Sequence, residues 1–260
     1  MSVSSSLGRI GLICDAGHSV FSVVAEDLED RGFRVEFFEP GQRVAPGTID
    51  GLDLLANKKV DPESFRALRY AERHDVPTWN GYTTATLGAR LVGLTALEAV
   101  GFEVPRTTRE KPAGEYVAKS LFDWHDADGP ELNGEGDVYQ ELLPAKPIDD
   151  KYYAVDDGDR IHVRLVLTES KLSGSKEYLG RGDPVPSVAA NLRRLLERTG
   201  SQAIGVDVVR SHGEYYAVDV NPAMSFRNAG LETELADSMA AGVRAAGTRH
   251  PARTLERWSR

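Results

Sequence analysis

The 260-residue chain has a single cysteine, Cys14, so no internal disulfide can form. Its six histidines are scattered and, with one thiol, offer none of the paired spacing that zinc sites use. Cations are in the minority: 31 Lys and Arg against 40 Asp and Glu give a formal charge of -9. That balance argues against nucleic acid as a main partner, because affinity for a phosphate backbone comes from clustered Lys and Arg. No apolar run approaches the ~18 residues of a membrane helix. The opening Met1 to Ser6 lacks the cationic and apolar regions of a signal peptide, so a soluble cytoplasmic protein is expected. No Ser-His-Asp or Cys-His constellation and no internal repeat is visible. What is present, 41% hydrophobic and 27% charged residues, is enough for a core and excludes a disordered or coiled-coil chain.

The first hundred residues alternate strand and helix. Arg9 to Cys14, Arg34 to Phe38, Leu52 to Leu55 and Val76 to Trp79 read as strands, and helical spacing at Val20, Phe21, Val24 and Leu28 and across Pro62 to Arg73 fills the gaps between them. Such alternation implies a parallel sheet with right-handed crossovers. His18, at a strand-to-helix junction, reads as a helix cap, and Cys14 as core. Thr84 to Val100 reads as one helix, closed by Gly101. Thereafter Glu115 to Phe122, Val138 to Leu143, Lys151 to Asp156 and Arg160 to Thr168 are strand patterns without helices between them, which indicates an antiparallel sheet. The polar stretch 123–136 reads as an exposed loop, and Lys171, Lys176 and Arg181 as solvated charges in a glycine-containing connection. Ser187 to Thr199 and Glu232 to Arg244 read as helices. The expected fold class is α/β followed by α+β, divided at residues 1–80, 81–150 and 151–260.

The most informative segment runs from Gly205 to Asn221. A three-residue turn, Ser211-His212-Gly213, would set Arg210 opposite Glu214, Asp207 opposite Ala217 and Gly205 opposite Asp219. One face of that ribbon carries Val206, Val208, Tyr216, Val218 and Val220; the other carries Asp207, Asp219 and Asn221. Two carboxylates and an amide gathered on one face are costly to bury unless solvent or a cation neutralises them. Oxygen donors of this kind suit Mg²⁺, which keeps waters and takes further ligands from phosphates. A cation site and a solvated face both remain open on these residues alone.

These residues resemble the ATP-grasp superfamily, in the branch of ribosomal-protein glutamate ligases and glutathione-synthetase-like enzymes. Gly205-Val206-Asp207 and Asp219-Val220-Asn221 match that branch's Gly-Val-Asp and Glu-Val-Asn strands, with Asp219 where the family usually has Glu. Val138 to Leu143 is similar to the strand and hinge that hold adenine, and Asp149-Asp-Lys151 to the family's Asp-x-Arg/Lys strand. Lys119 matches a phosphate-contacting lysine, and Arg90 stands where another such lysine is usual. Only seven residues separate Thr107 from Glu115 and twenty separate Lys119 from Gln140, so the small lobe is expected to be stripped down.

The resemblance implies an ATP- and Mg²⁺-dependent carboxylate-amine ligase working through an acyl-phosphate, with Mn²⁺ as a substitute ion and a small carboxylate or a peptide as acceptor. The metal would fall to Asp207, Asp219 and Asn221. The nucleotide would fall to Arg90, Lys119, Gln140, Glu141, Leu142, Leu143 and Asp149. Lys151 and Arg164 would carry the catalytic neutralisation of phosphate, and Ser225 and Arg227 would bind an anionic acceptor. The same scaffold also admits a small-polyol kinase and a non-catalytic nucleotide-binding relative. Neither a nucleic acid nor a membrane is expected as partner, and a homo-oligomer is left open.

Overall fold

A computed structural model describes residues 7–122, 129–170, 172 and 177–248. Lys171 and Lys176, and most of the first half of the 123–136 stretch, lie outside the described residues.

The amino-terminal part alternates β1 (Arg9–Ile13), α1 (Phe21–Asp30), β2 (Arg34–Phe38), α2 (Pro46–Ile49), β3 (Leu54–Asn57), α3 (Pro62–Arg73) and β4 (Thr78–Trp79). Its four strands form a parallel sheet in the order β2-β1-β3-β4. The expected alternation is present, and α3 starts where Asp61 caps it: Asp61 Oδ1 accepts from the amides of Glu63 and Ser64.

The single helix expected over Thr84 to Val100 is two helices, α4 (Tyr82–Thr86) and α5 (Arg90–Ala99). The interruption has a non-local cause. Ala89 leaves the helical conformation to bridge Phe122, and the Arg90 amide donates to the Leu121 carbonyl at 2.9 Å.

Strands β5 (Thr107–Thr108), β6 (Tyr116–Lys119), β7 (Glu131–Leu132) and β8 (Val138–Glu141) follow, forming a small sheet in the order β5-β8-β6-β7. The chain then enters a five-stranded sheet built from β9 (Ile148–Asp156), β10 (Ile161–Glu169), β11 (Tyr178–Gly182), and, after α6 (Pro186–Thr199), β12 (Ala203–Ser211) and β13 (Glu214–Asn221). Its order is β11-β10-β9-β12-β13, antiparallel throughout. Helix α7 (Glu232–Thr248) closes the fold.

Directly paired residues of antiparallel strands share a face, so the two faces of this sheet can be read from its register. Tyr152, Ala154, Leu165, Val206 and Val208 pack under α5 and α6. On the opposite face Tyr153, Val155, Val166 and Ala203 join Phe21, Trp79, Phe226 and α7 in one core shared with the parallel sheet. Trp79 Nε1 donates to Ser238 of α7, and Arg31 of the amino-terminal part pairs with Asp237. The last helix therefore fastens the two sheets together. Cys14 is buried in that core, and His18 Nδ1 accepts from the Val20 and Phe21 amides at the start of α1.

Gly93 is where α5 meets β13: a Cβ there would sit 2.3 Å from Val220 Cγ1 and 2.6 Å from the Leu87 carbonyl oxygen. Substitution Gly93→Ala is therefore expected to destabilise by about 2 kcal/mol, although Ala has the better helix propensity by ~1 kcal/mol. Calorimetry should register a melting temperature roughly 4–8 °C lower. A rise instead would mean that the helix does not approach the hairpin this closely.

Candidate active site

The β12–β13 hairpin turns on two residues, His212 and Gly213, whose φ values of 50° and 91° are those of a tight hairpin turn with both central residues left-handed. The three-residue turn expected from sequence is thus corrected. Ser211 pairs with Glu214 and Val208 with Ala217, and a bulge at Val218 then sets Asp207 opposite Asp219 and Gly205 opposite Asn221. Ala217, expected beside the acids, instead lies with Val206, Val208 and Val220 in the apolar core. The two carboxylates and the amide do share a face, as expected, and Asp207 and Asp219 are direct cross-strand neighbours. Gly205 has a steric reason: a Cβ there would fall 2.1 Å from Met224 Cγ, because the chain folds back over the strand after Asn221.

The carboxylates are neutralised from within the chain. Lys151, across the sheet from Asp207, places its Nζ 3.1 and 3.2 Å from the two Asp207 oxygens. Burial opposes the Lys151 charge, but Asp207, Asp149 and Asp219 together outweigh it and hold the ammonium above its ordinary range. Arg90, its side chain only 2% exposed, lies 2.7 Å from Asp219 and donates from Nε to the Ser120 carbonyl at 2.9 Å. An external cation is therefore not what makes this face tolerable, contrary to the argument from composition of the ribbon.

Lys119 is buried. Its Nζ donates to Gln140 Oε1 at 2.7 Å and to the Val218 carbonyl at 2.9 Å. The bulge thus aims a backbone oxygen at the small lobe, and Gln140 reaches the same carbonyl at 3.4 Å. Arg90, Lys119, Gln140, Asp149, Lys151, Asp207 and Asp219 form one connected cluster, with Asn221 one pair further along the same face. Asn221 Oδ1 accepts from the Ala223 amide at 2.8 Å. Thr168, opposite Asp149, had no mark in the sequence; its buried Oγ1 has no hydrogen-bond partner on this wall.

The hinge from β8 to β9 passes through Leu142 and Leu143. The carboxylate and amide of Glu141 are both engaged by the backbone of Arg106, and Ser211 Oγ donates to the Pro144 carbonyl at 2.9 Å. Glu141 therefore acts as a brace, and Gln140 points into the cluster rather than along the hinge.

Arg164, Ser225 and Arg227 are not brought into the cluster. Arg164 shares the face but lies 3.6 Å from Glu234 of α7. Ser225 bonds the Tyr153 hydroxyl, which burial, aided by Asp207, pushes up to about 12. Arg227 is exposed on the segment that follows, where Phe226 and Asn228 both take positive φ. Arg181 is exposed and donates to the Asn228 carbonyl at 2.6 Å.

The donor set is consistent with a hard divalent ion, since Asp207, Asp219 and Asn221 offer only oxygen from adjacent pairs of one ribbon. Among the described residues no group of three or more His, Cys, Asp or Glu side chains is arranged to hold a metal, so such an ion would need ligands from a bound nucleotide and water. Among the described residues no helix is long and apolar enough to cross a membrane.

No protein-family model matches the chain, and no curated protein matches it in sequence. Solved structures do match. A RimK-domain ATP-grasp protein from Sphaerobacter thermophilus superposes with a TM-score of 0.68 at 19% identity, covering 91% of this chain and 99% of the other. The macrocyclase MdnC of Microcystis aeruginosa, bound with the precursor peptide MdnA, gives 0.60 at 11% identity over 91% and 99% of the two chains. A RiPP-associated ATP-grasp ligase of Chryseobacterium gregarium, in complex with ADP and a leader and core peptide, gives 0.60 at 12% over 91% and 96%. At identities this low the superpositions show a shared fold alone.

Proposed function

The chain adopts the ATP-grasp fold, and from that premise we propose that it is an ATP- and Mg²⁺-dependent ligase joining a carboxylate to an amine through an acyl-phosphate, with residues 1–80, 81–150 and 151–260 as its amino-terminal, small and large parts. The observation that carries this reading is the cross-strand pair Asp207–Asp219, with Asn221 on the same face and Lys119, Lys151 and Arg90 closing around it. Asp207, Asp219 and Asn221 would hold Mg²⁺, which supplies neutralisation of the nucleotide's phosphates. Phosphoryl transfer needs alignment and charge compensation more than a protein nucleophile, and this agrees with a site made of cations and carboxylates. Lys119 and Lys151 bind and orient phosphate oxygens. The Leu142–Leu143 backbone offers the adenine contacts, and Asp149 holds the ribose or steadies Lys151. The acceptor is a small carboxylate or a peptide; peptides accompany two of the matched proteins.

A nucleotide-binding protein without turnover is the second reading. It is favoured by a small sheet with two two-residue strands and, among the described residues from 107 to 141, no helix to cover the phosphates.

Calorimetric titration with ATP and Mg²⁺, followed by phosphate release over a panel of carboxylates and amines, tests both. Metal-dependent ATP binding with amide formation coupled to phosphate release is expected. Absence of nucleotide binding overturns the proposal, and binding without phosphate release for any acceptor pair selects the second reading.

A further inference from the structure

Asn80 comes directly after β4, is 1% exposed and takes a left-handed φ of 50°. Asparagine tolerates that conformation better than most residues, and glycine tolerates it without steric cost. A glycine would therefore serve the backbone alone, so the side-chain amide needs a reason of its own. Both of its donors and both of its acceptor positions are used. Oδ1 accepts from the backbone amides of Gln202 and Ala203 at 3.1 and 2.9 Å, and Nδ2 donates to the carbonyls of Ala203 and Pro222 at 2.6 and 3.2 Å. The Asn80 backbone amide adds a bond to Gln202 Oε1 at 2.6 Å. One buried side chain from the parallel sheet thus holds the start of β12 and the residue immediately after β13.

The contact with Pro222 reaches the proposed metal ligands through a single peptide group. The Pro222 carbonyl and the Ala223 amide belong to one planar unit. Asn80 Nδ2 donates to its oxygen, and Asn221 Oδ1 accepts from its nitrogen at 2.8 Å. A rotation of that peptide would carry the Asn221 oxygen with it. Pro222 has no N–H of its own, so the corner has no other local donor at that position. The next carbonyl, that of Ala223, accepts from Lys58 Nζ at 2.6 Å. Lys58 comes directly after β3 and Asn80 directly after β4, so two paired strands of the parallel sheet anchor consecutive carbonyls of the corner. On the other arm, Ala203 lies two residues before Gly205, which pairs with Asn221. Both strand ends that flank Asn221 are tied to the same amide.

We infer that Asn80 is a positioning residue for Asn221: through the Pro222–Ala223 peptide it fixes the Asn221 oxygen on the face shared with Asp207 and Asp219, and so makes metal affinity depend on the parallel sheet. The inference rests on the reading of Asn221 as a metal ligand. Mg²⁺ demands near-ideal octahedral geometry from its oxygen ligands, so a ligand oxygen that is turned aside weakens the ion's hold. Partners that orient a metal ligand without touching the ion typically cost 10–100-fold in metal affinity when removed. Loss of the Asn80 amide therefore acts on metal dependence and leaves the nucleotide contacts proposed for Lys119 and the Leu142–Leu143 backbone in place.

The test titrates Mg²⁺ by calorimetry into the full chain with saturating ATP, with the melting temperature of each variant recorded alongside. Asn80→Gly keeps the left-handed backbone and removes all four side-chain bonds. It is expected to raise the half-saturating Mg²⁺ concentration at least tenfold, while ATP affinity at saturating Mg²⁺ stays within about threefold. Gln202→Ala removes the brace on the Asn80 backbone amide from a partly exposed position, and a rise of roughly threefold is expected; it gives the reading if Asn80→Gly does not fold. Ser238→Ala is the control for loosening alone. It removes the Trp79 hydrogen bond to α7 and does not reach the corner, so it should melt lower with its Mg²⁺ dependence within about twofold of wild type. Wild type without Mg²⁺-dependent ATP binding overturns the metal reading and this inference with it. Mg²⁺-dependent binding in wild type, with no shift in Asn80→Gly or, where that variant does not fold, in Gln202→Ala, overturns this inference alone. A shift in Ser238→Ala as large as that in Asn80→Gly overturns it too, since the cause would be a loosened interface. So does a loss of ATP affinity at saturating Mg²⁺ as large as the loss for Mg²⁺, which would assign Asn80 to the nucleotide.

Discussion

Substitution Asp219→Ala lowers the melting temperature by roughly 6–12 °C, about 3 kcal/mol at this chain length. A buried ion pair would lose one of its two members. Arg90 opens α5 with its guanidinium buried against the small lobe, 2.7 Å from Asp219. Removing the carboxylate takes the nearest negative charge from a guanidinium that water scarcely reaches and that also donates to the Ser120 carbonyl. Breaking a buried pair by deleting one partner costs far more than replacing both with apolar groups. The double variant Arg90→Met, Asp219→Leu should therefore recover most of the lost stability, as measured by calorimetry. That rescued protein should bind ATP in the presence of Mg²⁺ at least tenfold more weakly than wild type. If the single variant melts within 2 °C of wild type, the ion pair is not a clasp between helix, small lobe and hairpin.

The pair also shows why part of this site was legible and part was not. The segment Gly205 to Asn221 could be read because alternation along a strand is local: Val206, Val208 and Val220 turn one way, and Asp207, Asp219 and Asn221 the other. Its register could not. A two-residue turn moves the pairing by one residue, and the bulge at Val218 moves it by one more. The two shifts restore the parity of the acids and reverse that of Ala217, so the acid face survives an error that misplaces its neighbour. No residue type in Val208 to Val218 announces a bulge. The same holds for the break between α4 and α5: Leu87, Leu91 and Leu94 keep helical spacing, and only the distant segment around Leu121 and Phe122 pulls Ala89 away. The neutralising partners were invisible for the same reason. Lys151 and Arg90 could be recognised as cations, but that they face Asp207 and Asp219 follows from strand order and helix placement, not from spacing.

Internal neutralisation makes a sharp prediction about the metal. If Asp207 is a ligand, the Lys151 ammonium and a divalent ion compete for the same oxygens, and deleting the ammonium should favour the ion. Lys151→Met is expected to destabilise the nucleotide-free protein by about 2 kcal/mol, since a carboxylate that is mostly buried loses a cation 3.1 Å away. In this variant Mn²⁺ or Mg²⁺ should bind at least tenfold more tightly than in wild type, measured by Mn²⁺ paramagnetic resonance and by calorimetry without nucleotide. Millimolar metal should then raise its melting temperature, because a ligand that binds only the folded state stabilises it in proportion to the logarithm of its concentration over the dissociation constant. The variant Lys151→Met, Asp207→Asn should show no such rescue. Turnover should fall by at least a hundredfold in Lys151→Met despite the tighter metal, because the ammonium is also the group proposed to orient phosphate oxygens. Were metal to bind wild type and variant alike, or to leave the variant's stability unchanged, Asp207 would not be a metal ligand, and the hairpin would have to be read as a structural ion-pair ribbon.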